Sequence, residues 1–239
     1  MHAHHDYTRI YSDLDSGHKY HTNNHTANEL AFMPMLELLR NRSRSERIVD
    51  LGCGTCAALP MLQKLYNGHA YALEASSVSV ATARALGRDE GCRRAHCLVT
   101  GSLLKLPWAD ATFDAVVSAD VLEHVFPTDV PSAVAELRRV LAPGGVALLS
   151  IANGPSVRFG MDMHATQRSS EWWLSQFRMH QVYVPNAAWR ALWNRPGSAW
   201  NNRGQVCTSQ QSTNCGSMFF ALTDTAESAI RVRRRLRLV

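Results

Sequence analysis

No apolar run in this 239-residue chain approaches the roughly 20 residues that a bilayer-crossing helix needs. The opening stretch, MHAHHDYTRIYSD, lacks the apolar core of a secretion signal and is polar and histidine-rich instead. These two absences predict a cytoplasmic protein with no transmembrane segment and with reduced thiols. The six cysteines (53, 56, 92, 97, 207 and 215) show no pair of closely spaced pairs of the zinc-ribbon kind. Cys53-Gly-Thr-Cys56 does have C-x-x-C spacing, but its cysteines interleave with glycines of a loop, which explains the spacing without redox chemistry. Residues 231–239 contain five arginines and no acid. Without those five, 20 basic residues balance 20 acidic ones, so the net charge of +5 belongs to the C-terminal run. A nucleic-acid enzyme spreads cations over its working face. Nucleic acid is therefore not the expected partner, and the run reads as a solvated or helix-ending tail. Six histidines (2, 4, 5, 18, 21 and 25) crowd the leader without regularly spaced carboxylates or cysteines. They are read as a flexible leader and cap, and no metal site is expected.

What is present is organised around Arg47–Cys56, RIVDLGCGTC. Ile48 and Val49 read as a short buried parallel strand. Gly52 and Gly54 then allow a sharp turn and close approach of a ligand to the backbone. Ala57–Leu65 reads as a helix opening directly after it, which completes a nucleotide-binding corner. Downstream, His69–Glu74 reads as a second strand ending in an acid, and Ser76 as the cap of the next helix. Ala95–Thr100, Phe113–Ser118 and Val146–Ala152 read as three further strands, with a helix around Ser132–Leu141 and a Pro143-Gly144-Gly145 turn between the last two. Strands alternating with helices predict an α/β fold, a Rossmann-like parallel sheet covered on both faces, with its ligand at the strands' C-terminal ends. Beyond Asn153 five of the six tryptophans fall between 172 and 200, and Met218–Leu222 reads as a last strand. The expected organisation is one domain over 1–239. An N-terminal cap occupies 1–45, the ligand-binding core 46–152, a Trp-rich lobe with the last strand 153–224, and a basic tail 225–239.

The set Val49-Asp50-Leu51-Gly52-Cys53-Gly54-Thr55, Glu74, Gly101–Pro107, Phe113–Ser118, Asp120-Val121-Leu122-Glu123-His124-Val125 and Leu141–Gly145 resembles the class I S-adenosylmethionine-dependent methyltransferases, in particular the subgroup acting on small molecules. The resemblance covers roughly residues 46–152. It implies S-adenosyl-L-methionine as cofactor and S-adenosyl-L-homocysteine as product. The backbone of Gly52, Cys53 and Gly54, above Asp50, then meets the methionine end. Glu74 accepts both ribose hydroxyls, Ser102 and Leu103 lie where the family holds adenine, and Asp120 lies beside the methionine portion. Two residues depart from the family. Cys56 replaces its third glycine, at a helix N-terminus that lowers a thiol pKa, and Ser102 replaces an acid that binds the adenine amino group.

The implied activity is methyl transfer to an O or N atom of a small molecule by in-line displacement, in which the protein aligns the acceptor and excludes water. His124 and His164 are the candidate catalytic bases, with a support role for His124 as the other reading. Glu123 is expected to face solvent or the cap. Tyr11, Tyr20, Trp172 and Trp173 are the candidate acceptor-binding residues, a roof suited to an apolar or cationic acceptor, while core packing is the competing reading for each tryptophan. The alternative activity is RNA or protein methylation with the arginine run as a docking arm. Composition leaves the oligomeric state open.

Overall fold

The computed structural model describes residues 5–18, 32, 35–41, 45–93, 96–158, 160–184, 206–208 and 217–237. Helix α1 spans Tyr7–His18. The first βα unit is β1 (Ile48–Leu51), a turn, and α2 (Leu59–Leu65) with Pro60 in its first turn, where a missing N–H costs nothing. β2 (Ala70–Glu74) leads into α3 (Ser77–Ala85), and the Ser76 hydroxyl caps that helix by accepting the Ser79 N–H at 3.1 Å. β3 (Leu98–Thr100) and β4 (Phe113–Ala119) follow, then a 3-10 turn at Leu122–His124 and helix α4 (Val130–Val140). β5 covers Leu141–Ala152. A hairpin of β6 (Val157–Arg158) and β7 (Met161–Asp162) leads to α5 (Ser170–Phe177) and β8 (His180–Gln181). The chain closes with β9 (Val206–Thr208), β10 (Ser217–Thr223) and α6 (Ala226–Arg235).

The sheet has the order β3-β2-β1-β4-β5-β10-β8, with β9 also paired to β10. β1 to β5 are mutually parallel where they pair, whereas β10 runs antiparallel to β5 and β8. The expected parallel sheet is thus mixed at its last strand. Leu141, expected to end the helix, and the expected Pro143-Gly144-Gly145 turn both fall within β5: Leu141 pairs with Phe113 before the register shifts to Val146 opposite Ala115. Strands β8 and β9 had no counterpart in the sequence reading, because two or three residues carry no alternation to detect.

Continuous apolar runs in β4, β5 and β10 are buried on both sides, as a covered sheet requires. Alternate residues go to opposite layers: Val146 and Leu148 of β5 pack beneath Leu59, Leu62 and Val80, while Ala147, Leu149 and Ile151 pack against α4 and α5. The basic run ends a helix. Residues 226–235 form α6, capped by Thr225, with Ala229 and Val232 buried and four arginines outward. Arg231 and Arg235 line a crevice with Glu46, Tyr66, Asp114 and Gly144, at the N-terminal ends of β1, β4 and β5. The arginine face therefore lies at the far end of the sheet from the strands' C-terminal ends. Among the described residues no helix is long and apolar enough to cross a membrane.

Candidate active site

At the C-terminal end of β1 the chain turns through Gly52 with φ +85°, and a Cβ there would sit 2.5 Å from Val121 Cγ2. Only glycine gives both that backbone conformation and that clearance. The Gly52 and Cys53 N–H groups donate to the Leu73 carbonyl at 2.7 and 3.2 Å, which ties the turn to the end of β2. Glu74, buried there, accepts the Gly54 N–H through Oε2 and the Ser76 N–H through Oε1, each at 2.8 Å. A carboxylate oxygen accepts along two lone pairs, so each keeps acceptor capacity for a ligand hydroxyl. Beneath the turn Asp50 is buried, and neither of its oxygens has a partner among the described residues. Burial, and then the charge of Glu74, push its pKa up to about 7. A cationic or N–H-bearing ligand would satisfy this orphaned carboxylate, as the ammonium of a methionine moiety can. Gly101 donates its N–H to the Glu74 carbonyl at 2.9 Å, which brings Ser102 and Leu103 beside the end of β2. Asp120, at φ +53°, is fixed by Ser150, whose hydroxyl donates to Oδ1 at 2.8 Å and whose carbonyl accepts its N–H at 2.9 Å. Glycine turn, acid, Ser102 loop and Asp120 thus share one end of the sheet, and together they fit S-adenosylmethionine.

The expectation of reduced thiols is corrected. Cys53 pairs with Cys56, and Cys92 with Cys97, with Cα atoms 4.5 and 6.1 Å apart, inside the span a disulfide bridges. Cys56 is fully buried at φ +51°, so the lowered-pKa thiol expected there is replaced by a bonded sulfur.

The residues expected on the acceptor side come together across the gap between β4 and β5. The Thr166 N–H donates to the Glu123 carbonyl at 2.9 Å, and the Thr166 hydroxyl to the Val125 carbonyl at 2.6 Å. That lacing sets His164 against His124, with ring centroids 4.9 Å apart and planes at 83°. His124 Nδ1 lies 2.8 Å from the Met163 carbonyl oxygen, and His164 Nδ1 bonds the Gly154 carbonyl. A carbonyl only accepts, so each Nδ1 carries the hydrogen and each neutral ring bears its lone pair on Nε2. Both candidate bases are therefore in the tautomer that offers Nε2 to a proton or a Lewis acid. Glu123 is a correction: it is fully buried rather than solvent-facing. Its Oε1 accepts the Ala152 N–H at 3.0 Å and lies 4.0 Å from His164 Nε2. Burial, and then Asp120, raise its pKa well above the usual carboxylate range. The bond to the Ala152 N–H ties the Glu123 carboxyl to the end of β5.

Helix α1 spans the site. The Ser76 and Ser79 hydroxyls donate to Asp15 of α1, and Ser12 bonds Ser77, all on α3 or its cap. At its other end Tyr7 donates to Asp129 Oδ2 at 2.9 Å and accepts the Phe126 N–H at 2.8 Å. Between these anchors Tyr11 meets His124 edge-on, with centroids 6.1 Å apart. Asp15 and Asp129 were not anticipated, since their partners lie more than sixty residues away. Tyr20, His21 and Trp189, Trp193 and Trp200 lie outside the described residues. Trp173 is corrected as an acceptor-binding residue: it is fully buried, stacked on Phe177 within the α4–α5 core layer. Trp172 is half-buried on the same layer, beneath the Arg168 guanidinium 5.9 Å from its ring centre.

Residues 49–149 match the family model described as Methyltransferase domain. The sheet has the α/β, Rossmann-like architecture of class I S-adenosylmethionine-dependent methyltransferase structures, and the matched domain lies within it. The chain is 29% identical to norajmaline N-methyltransferase of Rauvolfia serpentina, over 46% of this chain and 37% of that one. It is 31% identical to a probable chloroplastic tocopherol O-methyltransferase of Oryza sativa subsp. japonica, over 48% of this chain and 31% of that one. The matched stretch thus spans about a third of these relatives' own length. In fold it is similar to an S-adenosylmethionine-dependent methyltransferase structure from Mesorhizobium loti, with TM-score 0.54 and 18% identity, covering 80% of this chain and 97% of that one.

Proposed function

We propose that the protein methylates an O or N atom of a small molecule, with S-adenosylmethionine as donor. The observation that carries this reading is one end of a sheet holding both a donor cradle (Gly52–Gly54, Asp50, Glu74, Asp120) and two Nε2-basic histidines across it. When bound, S-adenosylmethionine supplies an electrophilic methyl group with its own leaving group. Glu74 would hold the ribose, Ser102 and Leu103 the adenine, and the turn with Asp50 and Asp120 the methionine end. His124 and His164 face the acceptor, where an Nε2 lone pair can take the proton that a hydroxyl or ammonium must lose. Helix α1, anchored on both rims, excludes water and orders Tyr11 over the pocket. The O- and N-methyltransferases among the relatives support the reaction class. The alternative, a macromolecular substrate docked on the arginine run, gains no support from a run on a packed helix at the opposite end of the sheet.

Calorimetry with S-adenosylhomocysteine tests the reading. Micromolar or tighter binding, lost on Glu74→Ala, is expected; an absence of binding by the intact chain sinks it.

A further inference from the structure

We propose that Glu123, His124 and His164 form a binding site for one divalent first-row transition ion, which would hold an oxygen atom of the acceptor beside the donor cradle. One ligand atom from each of the three residues can be chosen so that all lie within 4.8 Å of one another. Ligands of one ion at roughly tetrahedral angles, each about 2.0–2.2 Å from it, lie about 3.3–3.6 Å apart, so closing on an ion takes a movement of up to about 1.5 Å. The side chains already have the electronic form a metal needs. Each histidine gives its Nδ1 hydrogen to a backbone carbonyl, His124 to Met163 and His164 to Gly154, and this is the outer hydrogen bond that fixes a metal-binding imidazole with Nε2 as the donor atom.

Glu123 adds the anion. It is fully buried, its Oε1 takes the Ala152 N–H, and its Oε2 has no hydrogen-bond partner among the described residues. A carboxylate removed from water needs a countercharge or a proton. His164 Nε2 lies 4.0 Å from Oε1, too far for a hydrogen bond. An ion between the three groups would satisfy Oε2 and the carboxylate charge together.

Two imidazoles and one carboxylate favour zinc, cobalt, iron or manganese over magnesium or calcium, which prefer oxygen alone. Three protein ligands leave a position open. The acceptor's part rests on the methyl-transfer reading, while the ion site stands on the three side chains alone. Within that reading the ion favours an acceptor hydroxyl, because a bound hydroxyl gives up its proton to solvent more easily, and ligation then takes the place of the general-base role of the two histidines.

The test uses the full chain, stripped of metal with a chelator and titrated with Co2+ alone under visible absorption. A d–d band saturating at one equivalent is expected, reversed by Zn2+. X-ray absorption of the cobalt-loaded wild type should show two imidazoles, a readout that needs no variant. His164→Ala and Glu123→Gln should each weaken Co2+ binding at least tenfold while S-adenosylhomocysteine still binds, which shows that they fold. His2→Gln with His4→Gln, which thins the leader's imidazoles, should leave the band unchanged. No band, a band that survives His164→Ala, or a band lost with the leader histidines would overturn the site. A cobalt band without any binding of S-adenosylhomocysteine would uphold the site and overturn the donor reading instead.

Discussion

Glu74 Oε2 accepts the Gly54 backbone N–H at 2.8 Å, so the acid that ends the second strand also holds the glycine turn after the first. Its other oxygen holds the Ser76 N–H at 2.8 Å. Removal of the carboxylate therefore strikes the ligand contact and the shape of the cradle together. Glu74→Ala should weaken S-adenosylhomocysteine binding by about 100-fold or more, since two buried N–H groups lose their acceptor. Glu74→Gln keeps one accepting oxygen and should fall between it and wild type in the same calorimetry.

The unliganded protein should lose stability as pH rises toward neutrality. Asp50 titrates at about 7 in the fold, raised by burial and by Glu74, and near the ordinary carboxylate value when unfolded. Between roughly pH 4 and 7 the folded state therefore binds more protons than the unfolded one, so unfolding free energy falls with rising pH and levels off above 7. Asp50→Asn should make that fall shallower, leaving the share that buried Glu123 contributes, and should gain stability at pH 8. Urea denaturation of the two proteins at pH 5 and pH 8 reads the difference. An unchanged pH slope in the variant would count against the buried, unpaired carboxylate.

Neighbouring tryptophans should respond very differently to truncation. Trp173→Ala empties a fully buried site stacked on Phe177 and should cost about 3–5 kcal/mol in chemical denaturation. Trp172 is half-buried, and Trp172→Ala should cost clearly less. Equal losses would refute the assignment of Trp173 alone to the core.

Helix α1 is held by buried polar bonds at both ends, and these can be cut separately. Tyr7→Phe removes the hydroxyl that donates to Asp129 and accepts from Phe126, which should cost about 1–3 kcal/mol and loosen one end. Asp15→Ala frees the other end from Ser76 and Ser79. Hydrogen exchange over residues 7–18 should speed up in both variants, and bound S-adenosylhomocysteine should restore part of the protection if α1 closes over the ligand.

At position 56 the family's glycine is a cysteine held at φ +51°, where a residue with a Cβ is strained by about 1–2 kcal/mol. Cys56→Gly relieves that strain but deletes a buried sulfur and its bond to Cys53. The two effects oppose each other. The variant should therefore stay within about 2 kcal/mol of wild type and keep micromolar affinity for S-adenosylhomocysteine.

The sequence by itself determined the donor half of this protein. Asp50, Gly52, Gly54 and Glu74 belong to two adjacent βα units, and short loops between neighbouring parallel strands leave those residues one place to go. The same local logic made Ser76 legible as a cap and β4 and β5 as buried strands. The acceptor half was decided only by tertiary structure. His124 and His164 meet because Thr166 and Met163 are laced to the 3-10 turn some forty residues earlier, and no periodicity encodes such a bond. Glu123 is inside, its carboxyl held by the Ala152 N–H of β5, a bond between residues 29 apart. Trp173 went to the core because α5 stacks it on Phe177, which in turn meets Phe220 edge-on, and the arginine run became a helix face because Ala229 and Val232 had apolar surface to bury against the sheet.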